Sequence, residues 1–141
     1  MTISIREAVS KDVEAVAQIW ESCDLTRPWN DPASDFNLSL TTLSSTIFVA
    51  EEGITLVGTV MTGFDGHRGW IYYLGILPNH RNQGIAQRLI DAATVWLIDR
   101  DCPKVELMVR KGNPAANFYV MNGWEKQDVD VYAHWLKTRD E

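Results

Sequence analysis

Hydrophobic residues alternate with polar ones in several short runs of this chain. Ile3 and Ile5 lie between polar neighbours, which predicts a β-strand near the N-terminus. Five later runs have strand character as well: TIFVAEE, TLVGTVMTGF, WIYYLGILP, KVELMVR and VDVYAHWLKT. Tight turns separate the first three of these five, so we expect an antiparallel meander in the middle of the chain.

Other hydrophobic residues recur every three or four positions, which is typical of amphipathic helices. The first such stripe includes Val16 and Trp20, and a second helix is predicted to open at Pro32 after Asp31. A third stripe follows Gly84 and consists of Ile85, Leu89, Ile90, Ala93, Trp96 and Leu97. The run NPAANFYVMN predicts a short fourth helix that ends at Gly123.

The predicted order of elements is therefore β-α-α-β-β-β-α-β-α-β. This order describes an α/β protein of the α+β type, with a mixed sheet covered by helices. The chain has 141 residues and contains no visible repeat or linker, so a single domain over residues 1–141 is expected.

Composition narrows the classes of function. The chain is 45% hydrophobic and has a net charge of −6, which predicts a folded protein and argues against binding to nucleic acid. An acidic protein suits a cationic partner such as an amine, although acidity also serves solubility. The chain has no signal-like segment and no long apolar run, so we expect a cytoplasmic protein that does not enter the membrane.

The two cysteines, Cys23 and Cys102, are too few and too far apart for a disulfide framework or a zinc motif. The expectation is two reduced thiols, no metal site, and no cysteine nucleophile.

The segment RNQGIA, residues 81–86, lies where a predicted strand gives way to a predicted helix. The first backbone N–H groups of a helix lack partners, and the helix dipole attracts negative charge there. Gly84 would let a ligand approach the main chain, and Arg81 could donate two hydrogen bonds to a phosphate. The alternative is a strand-to-helix turn that simply needs a glycine.

Three blocks of sequence, in order, resemble the GNAT superfamily of N-acyltransferases. The segment RNQGIA is similar to the family motif R/Q-x-x-G-x-G/A, and LGILP before it resembles the strand that leads into that motif. The run VELMVRKGNPAANFYVMNGW resembles the next strand, followed by N-x-x-A and F-Y-x-x-x-G-F. The resemblance covers Trp70 to Trp124 and implies a GNAT-like acyl-CoA N-acyltransferase fold.

The resemblance also implies acetyl-CoA as cosubstrate. Its diphosphate would bind backbone N–H groups between Gln83 and Gln87, and its pantetheine arm would pair with the strand around Leu74 to Leu77. That strand would diverge from the next one, with Gly75 easing the bend. The implied cofactor contacts are Leu74, Ile76, Leu77, Arg81, Asn82, Gln83, Gly84, Ile85, Ala86, Gln87, Asn113 and Asn117.

Tyr119 is the catalytic residue that the resemblance implies, as the acid that protonates the departing CoA thiolate. Family members usually place this tyrosine seven residues after the asparagine, whereas Asn113 and Tyr119 are six apart. Tyr119 could instead be a core aromatic residue, Asn113 a helix cap, and Asn117 an exposed polar residue.

The general base and the acceptor pocket are less well defined by the sequence. Glu106, Asp65, His67 and Tyr72 are candidate bases, each with a solvated or packing role as the alternative. The segment CDLTRPWNDPASD could line an acceptor pocket through Trp29 and its aspartates, but we favour turn formation and capping for the aspartates and a half-buried packing position for Trp29.

The expected function is transfer of an acetyl group from acetyl-CoA to a primary amine by direct attack, without a covalent intermediate. Two alternatives stay open: a non-catalytic acyl-CoA-binding module, and an interaction protein without a cofactor. The acceptor is undefined, and the resemblance leaves a homodimer open.

Overall fold

A five-stranded mixed sheet organises this protein, whose computed structural model describes residues 2–137. Strands β1 to β4 are antiparallel neighbours in chain order, and β5 is parallel to β4. The strands are β1 Ile3–Glu7, β2 Ser45–Glu52, β3 Thr55–Phe64, β4 Gly69–Ile76 and β5 Val105–Leu107. The helices are α1 Val13–Ser22, α2 Pro32–Thr41, α3 Ile85–Ile98 and α4 Ala115–Met121, with 3₁₀ turns at Ser10–Asp12 and Pro78–His80.

The mixed α/β class and the predicted order through the fourth helix are confirmed. The last predicted strand is not: residues 129–137 form no strand, and Thr138 lies outside the described residues. A strand forms when its backbone makes hydrogen bonds to a neighbouring strand, and an alternating sequence pattern does not show whether such a neighbour exists. The chain divides into two compact units at Leu107/Met108, and the single domain over residues 1–141 stays a prediction.

Helices α1 and α3 cover opposite faces of the sheet in the first unit. The Trp20 indole of α1 donates to the Thr59 hydroxyl of β3 at 3.0 Å. The adjacent Gly58 faces Leu89 of α3, because a Cβ built at Gly58 would lie 3.2 Å from that side chain. Neighbouring residues of a strand point to opposite faces, so the sheet separates the two helices. Trp20 and Leu89 are fully buried, which shows that both faces contribute to the core.

Helix α2 begins as the sequence predicts. The Asp31 carboxylate accepts the N–H of Ser34 at 3.2 Å, and Pro32 occupies the first turn. The buried residue Phe36 then places α2 against the same core cluster as α1.

Strand β4 contains a β-bulge, and this feature positions the functional site. Thr59 lies opposite Gly75 and Met61 lies opposite Tyr72, so Tyr73 and Leu74 together face one residue of β3. Tyr73 has a φ of +53°, an unfavourable value for a residue with a bulky side chain. The bend is therefore at Tyr73 rather than at Gly75. Gly75 is instead required by close packing, because a Cβ there would lie 2.8 Å from Leu25 and 3.1 Å from the Cys23 sulfur.

Three contacts from other elements hold the bulge. The Tyr73 ring stacks on Trp20 with centroids 3.8 Å apart, and its hydroxyl donates to Asp35 of α2 at 2.7 Å. The Thr59 hydroxyl accepts from Trp20 and donates to the Tyr73 carbonyl at 2.9 Å. Burial, together with the Asp35 carboxylate, raises the pKa of Tyr73 well above its ordinary value, so its hydroxyl remains a donor.

An ion cluster joins β1, β2 and the start of α1. The Arg6 guanidinium donates to both carboxylate oxygens of Asp12 at 2.9 and 3.1 Å and to Glu51 at 3.1 Å. Asp12 also accepts the N–H of Val9 at 2.8 Å. Arg6 holds the pKa of Asp12 below its ordinary value, with a smaller contribution from the Val9 N–H.

We expect Thr59→Val to destabilise the protein by about 1–3 kcal/mol, because the Trp20 N–H and the Tyr73 carbonyl would lose their shared partner. Urea denaturation measures the change. Thr55→Val is the matched control on the exposed start of β3 and should change stability by less than about 0.5 kcal/mol. Equal effects of the two variants would contradict the proposed role of Thr59.

We expect the Asp12 carboxylate to stabilise the fold above the pKa it has when unfolded, about 4, and to lose this contribution as pH falls through its lower folded pKa. Asp12→Asn should therefore be less stable than the wild type at pH 7, with a difference that narrows below pH 4. Denaturation curves across this pH range test the expectation, and a constant difference would contradict it.

Candidate functional site

The start of α3 is left open to solvent and without a cap. Gly84 is the N-cap residue with φ +78° and ψ 9°, and no side chain caps the helix. Arg88 donates to the Gly84 carbonyl at 3.2 Å, so the N–H groups of Ile85, Ala86 and Gln87 precede the first intrahelical bond. The first turn contains no acidic residue, and a Cβ built at Gly84 would meet nothing within 4 Å. These groups and the helix dipole suit an anion.

Arg81 connects this helix start to the end of β4. Its Nε donates to the Ile76 carbonyl at 2.9 Å, and within residues 2–137 its terminal nitrogens have no hydrogen-bond partner. Asn82 follows with φ +62°, a left-handed conformation that asparagine tolerates. The loop thus holds an exposed guanidinium whose outer edge is available to an anion.

The predicted residues of this segment have different roles in the structure. Gln83 is exposed, whereas the Ile85 side chain is buried in the core, so Ile85 offers only its backbone to a ligand. Ala86 is half-buried. The Gln87 amide donates to Asp91 at 2.8 Å, which directs the side chain along the helix.

The last part of β4 has an edge without a partner strand. Strand β5 pairs only with Gly69–Ile71, so in the described part of the chain residues 72–76 have no neighbour on that side. Leu77 donates to the Val57 carbonyl of β3 at 2.9 Å. Backbone groups alternate in direction along a regular strand, so those of Ile76 point toward the open edge and those of Leu77 do not. Leu74 lies in the bulge, where this alternation is interrupted. The Ile76 carbonyl also accepts from the Cys23 thiol at 3.3 Å.

Tyr119, Asn113 and Asn117 belong to the second unit. The Tyr119 ring lies edge-on to Phe118 and to Trp124, with centroids 5.3 and 5.7 Å apart. Burial raises the pKa of Tyr119, so the phenol is protonated at neutral pH. Its hydroxyl has no hydrogen-bond partner among the residues that the structure describes.

Asn113 acts as a cap: its side-chain oxygen accepts the N–H of Ala115 at 2.9 Å, and α4 begins at Ala115. Asn117 is exposed on α4. A contact of either residue with a cofactor stays a prediction.

The candidate bases have different surroundings. Glu106 lies 3.6 Å from the Arg68 guanidinium. Asp65 accepts the backbone N–H groups of His67 and Arg68, both at 2.8 Å, in the β3–β4 turn. Burial, with a smaller effect of the Asp65 charge, raises the pKa of Tyr72. These contacts favour turn formation for Asp65 and ion pairing for Glu106 over a role as general base.

The aspartates of the α1–α2 region have structural roles. Asp31 caps α2, and Asp24 is exposed, 3.8 Å from Arg27. Asp35 accepts the Tyr73 hydroxyl and so supports the bulge. The sequence contains one signal for Tyr73: two adjacent tyrosines in a half-buried strand point to opposite faces unless a bulge intervenes.

Two further properties concern only residues 2–137. They contain no cluster of three or more His, Cys, Asp or Glu side chains suited to a metal ion. None of their helices is both long enough and apolar enough to span a membrane.

Comparison with known proteins assigns this architecture to a family. Residues 13–124 match the acetyltransferase (GNAT) family. An acetyltransferase of Pectobacterium atrosepticum is 49% identical over 129 residues, which cover 92% of this chain and 89% of that protein. An acetyltransferase of Yersinia pestis is 45% identical with the same coverage.

Solved structures share the fold at low sequence identity. An aminoglycoside N-acetyltransferase in complex with CoA has a TM-score of 0.83 and 16% identity, with 96% of each chain covered. A predicted acetyltransferase from Clostridium acetobutylicum with acetyl-CoA has a TM-score of 0.78 and 21% identity, with 94% of this chain and 96% of that chain covered. The chain belongs to the GNAT family of acetyltransferases, as its three sequence blocks indicate.

Proposed function

We propose that this protein transfers the acetyl group of acetyl-CoA to a primary amine by direct attack. The observation that carries the proposal is the uncapped start of α3 at Gly84, joined by Arg81 to the unpaired edge of β4. An anionic diphosphate and an extended amide-containing arm are the two chemical groups that such a pair of surfaces would bind. CoA and acetyl-CoA occur in the two solved structures described above.

The diphosphate is proposed to bind the backbone N–H groups from Gly84 to Gln87. These groups are oriented before the ligand arrives, so little ordering is needed on binding. Arg81 adds a cation whose position is fixed by its bond to Ile76. Asn82 and Gln83 complete the exposed loop around the anion.

The pantetheine arm is proposed to extend the sheet along β4. Ile76 offers its backbone N–H to the open edge, since its carbonyl already accepts from Arg81 and Cys23. The bulge residue Leu74 is proposed to offer a second backbone group, so that amides of the arm can pair with β4 as a strand would. The thioester would then lie beside the bulge, where a β4 N–H can stabilise the oxyanion of the tetrahedral intermediate.

The chemistry needs two proton transfers. The neutral amine attacks the thioester carbonyl carbon, a C–N bond forms, and the C–S bond breaks. Tyr119 is proposed to donate its phenolic proton to the leaving thiolate, and the attacking nitrogen loses a proton to water. Neither Cys23 nor Cys102 takes part in these reaction steps, because the proposed mechanism forms no acyl-enzyme.

We expect Gln83→Glu to weaken acetyl-CoA binding about tenfold, because the new side chain has nearly the same size but carries a negative charge beside the diphosphate. Isothermal titration calorimetry measures the dissociation constant. Gln18→Glu is the matched control, an equally exposed change on α1. Similar affinities for both variants would contradict a diphosphate site at the start of α3.

We expect Tyr119→Phe to lower kcat by about 10- to 1000-fold and to leave the affinity for acetyl-CoA nearly unchanged. Trapping of released CoA with a thiol reagent, over a panel of amines, measures turnover. Tyr132→Phe, at an exposed position of the same unit, is the control. Unchanged kcat would assign the proton to water. Binding of acetyl-CoA without turnover of any amine would instead favour a non-catalytic binding module.

A further inference from the structure

A cavity of about 300 Å³ lies on the β3–β4 hairpin, beside the bulge. Trp70 and Tyr72 form an aromatic wall, with ring centroids 6.4 Å apart and planes inclined by 18°. They share one face of β4 because they are two residues apart. Met61, directly opposite Tyr72, lines the same cavity and packs against the core cluster beneath α1 and α2. The volume corresponds to roughly ten water molecules, which is enough for a small organic ligand.

Asp65 provides the charge of this cavity. Its Oδ1 accepts the two N–H groups of the hairpin turn, from His67 and Arg68. These bonds hold its pKa below the ordinary value, so the carboxylate is charged at neutral pH. A hydrogen bond from the Trp70 side chain to the same carboxylate makes a smaller contribution to the low pKa and joins Asp65 to the aromatic wall. Among the described residues, the Arg68 guanidinium forms its salt bridge with Glu106, at 3.6 Å, rather than with Asp65.

The distance along β4 decides what this carboxylate can do. Asp65 follows Phe64, which pairs with Gly69, and Gly69 is four residues from Tyr73 at the bulge. At the rise of an extended strand, this separation is about 13 Å. A carboxylate so far from the bulge cannot contact an amine that attacks a thioester there. It can contact the other end of the same acceptor.

We propose that the cavity binds the distal ammonium group and apolar stem of a linear diamine, whose other amine is acetylated beside the bulge. This inference rests on the proposed function. Asp65 binds the distal ammonium ion, and Trp70 and Tyr72 cover the methylene stem and attract the cation through their ring faces. The acetyl group passes from sulfur to the neutral proximal nitrogen, while the distal nitrogen keeps its protons. The net charge of −6 also favours a dication.

The test compares octamethylenediamine with octylamine, which lacks only the distal amine. We expect wild-type kcat/KM to be about tenfold higher for the diamine, as a charge-assisted hydrogen bond would provide. Asp65→Asn keeps an acceptor oxygen for the turn and removes the charge. In this variant the ratio of kcat/KM for the diamine to kcat/KM for octylamine should fall to about one. Asp99→Asn, at the exposed C-terminal end of α3, should keep the wild-type ratio.

Calorimetry with the two compounds separates this inference from the proposed function. Diamine binding that needs Asp65, without acetyl transfer to any amine, would support the cavity as a diamine site and overturn the transferase proposal. Transfer with equal preference for both compounds, or a preference that survives Asp65→Asn, would overturn the diamine site and leave the transferase proposal standing. Strong preference for a lysine peptide or an amino acid over the diamine would also overturn the diamine site.

Discussion

The bulge at Tyr73 is the constraint on which the site depends. A bulky residue at φ +53° is unfavourable by about 1–2 kcal/mol, so the surrounding contacts must hold it in place. They come from three elements: the Trp20 ring of α1, the Thr59 hydroxyl of β3 and the Asp35 carboxylate of α2. The bulge is therefore a product of the core, and changes far from the site along the chain can alter it.

This bulge divides β4 into two parts with different surroundings. The first part pairs with β5 and carries Trp70 and Tyr72 on the wall of a cavity. The second part, from Leu74 to Ile76, has an open edge on the side where β5 would otherwise continue. A free strand edge exposes unpaired backbone groups, and folded proteins commonly protect or occupy such an edge.

The start of α3 also lacks a stabilising interaction, a side-chain cap. Gly84 supplies no side-chain cap, and glycine at an N-cap is less favourable than Ser, Thr, Asp or Asn by about a few tenths of a kcal/mol. Asp31 caps α2, but the N-cap residues of α1 and α4, Asp12 and Pro114, make no side-chain cap bond either, so the missing cap alone does not distinguish α3. An unsatisfied helix start beside a fixed arginine is the kind of local inconsistency that marks a binding site. Asn113 shows a different case: its side-chain oxygen accepts the N–H of Ala115 at the start of α4, while its contact with a ligand stays a prediction.

The sequence by itself determined the elements and the family. Periodicity located the helices and the first five strands, Gly84 marked the start of α3, and three ordered motifs indicated the GNAT family. These signals depend on residues close together in the chain. Only the tertiary structure decided the bend at Tyr73 instead of Gly75, the cavity at Asp65, and the absence of a strand over residues 129–137. These features depend on which strands pair, in what register, and on contacts such as that of Trp20 with Tyr73, whose partners are distant in sequence.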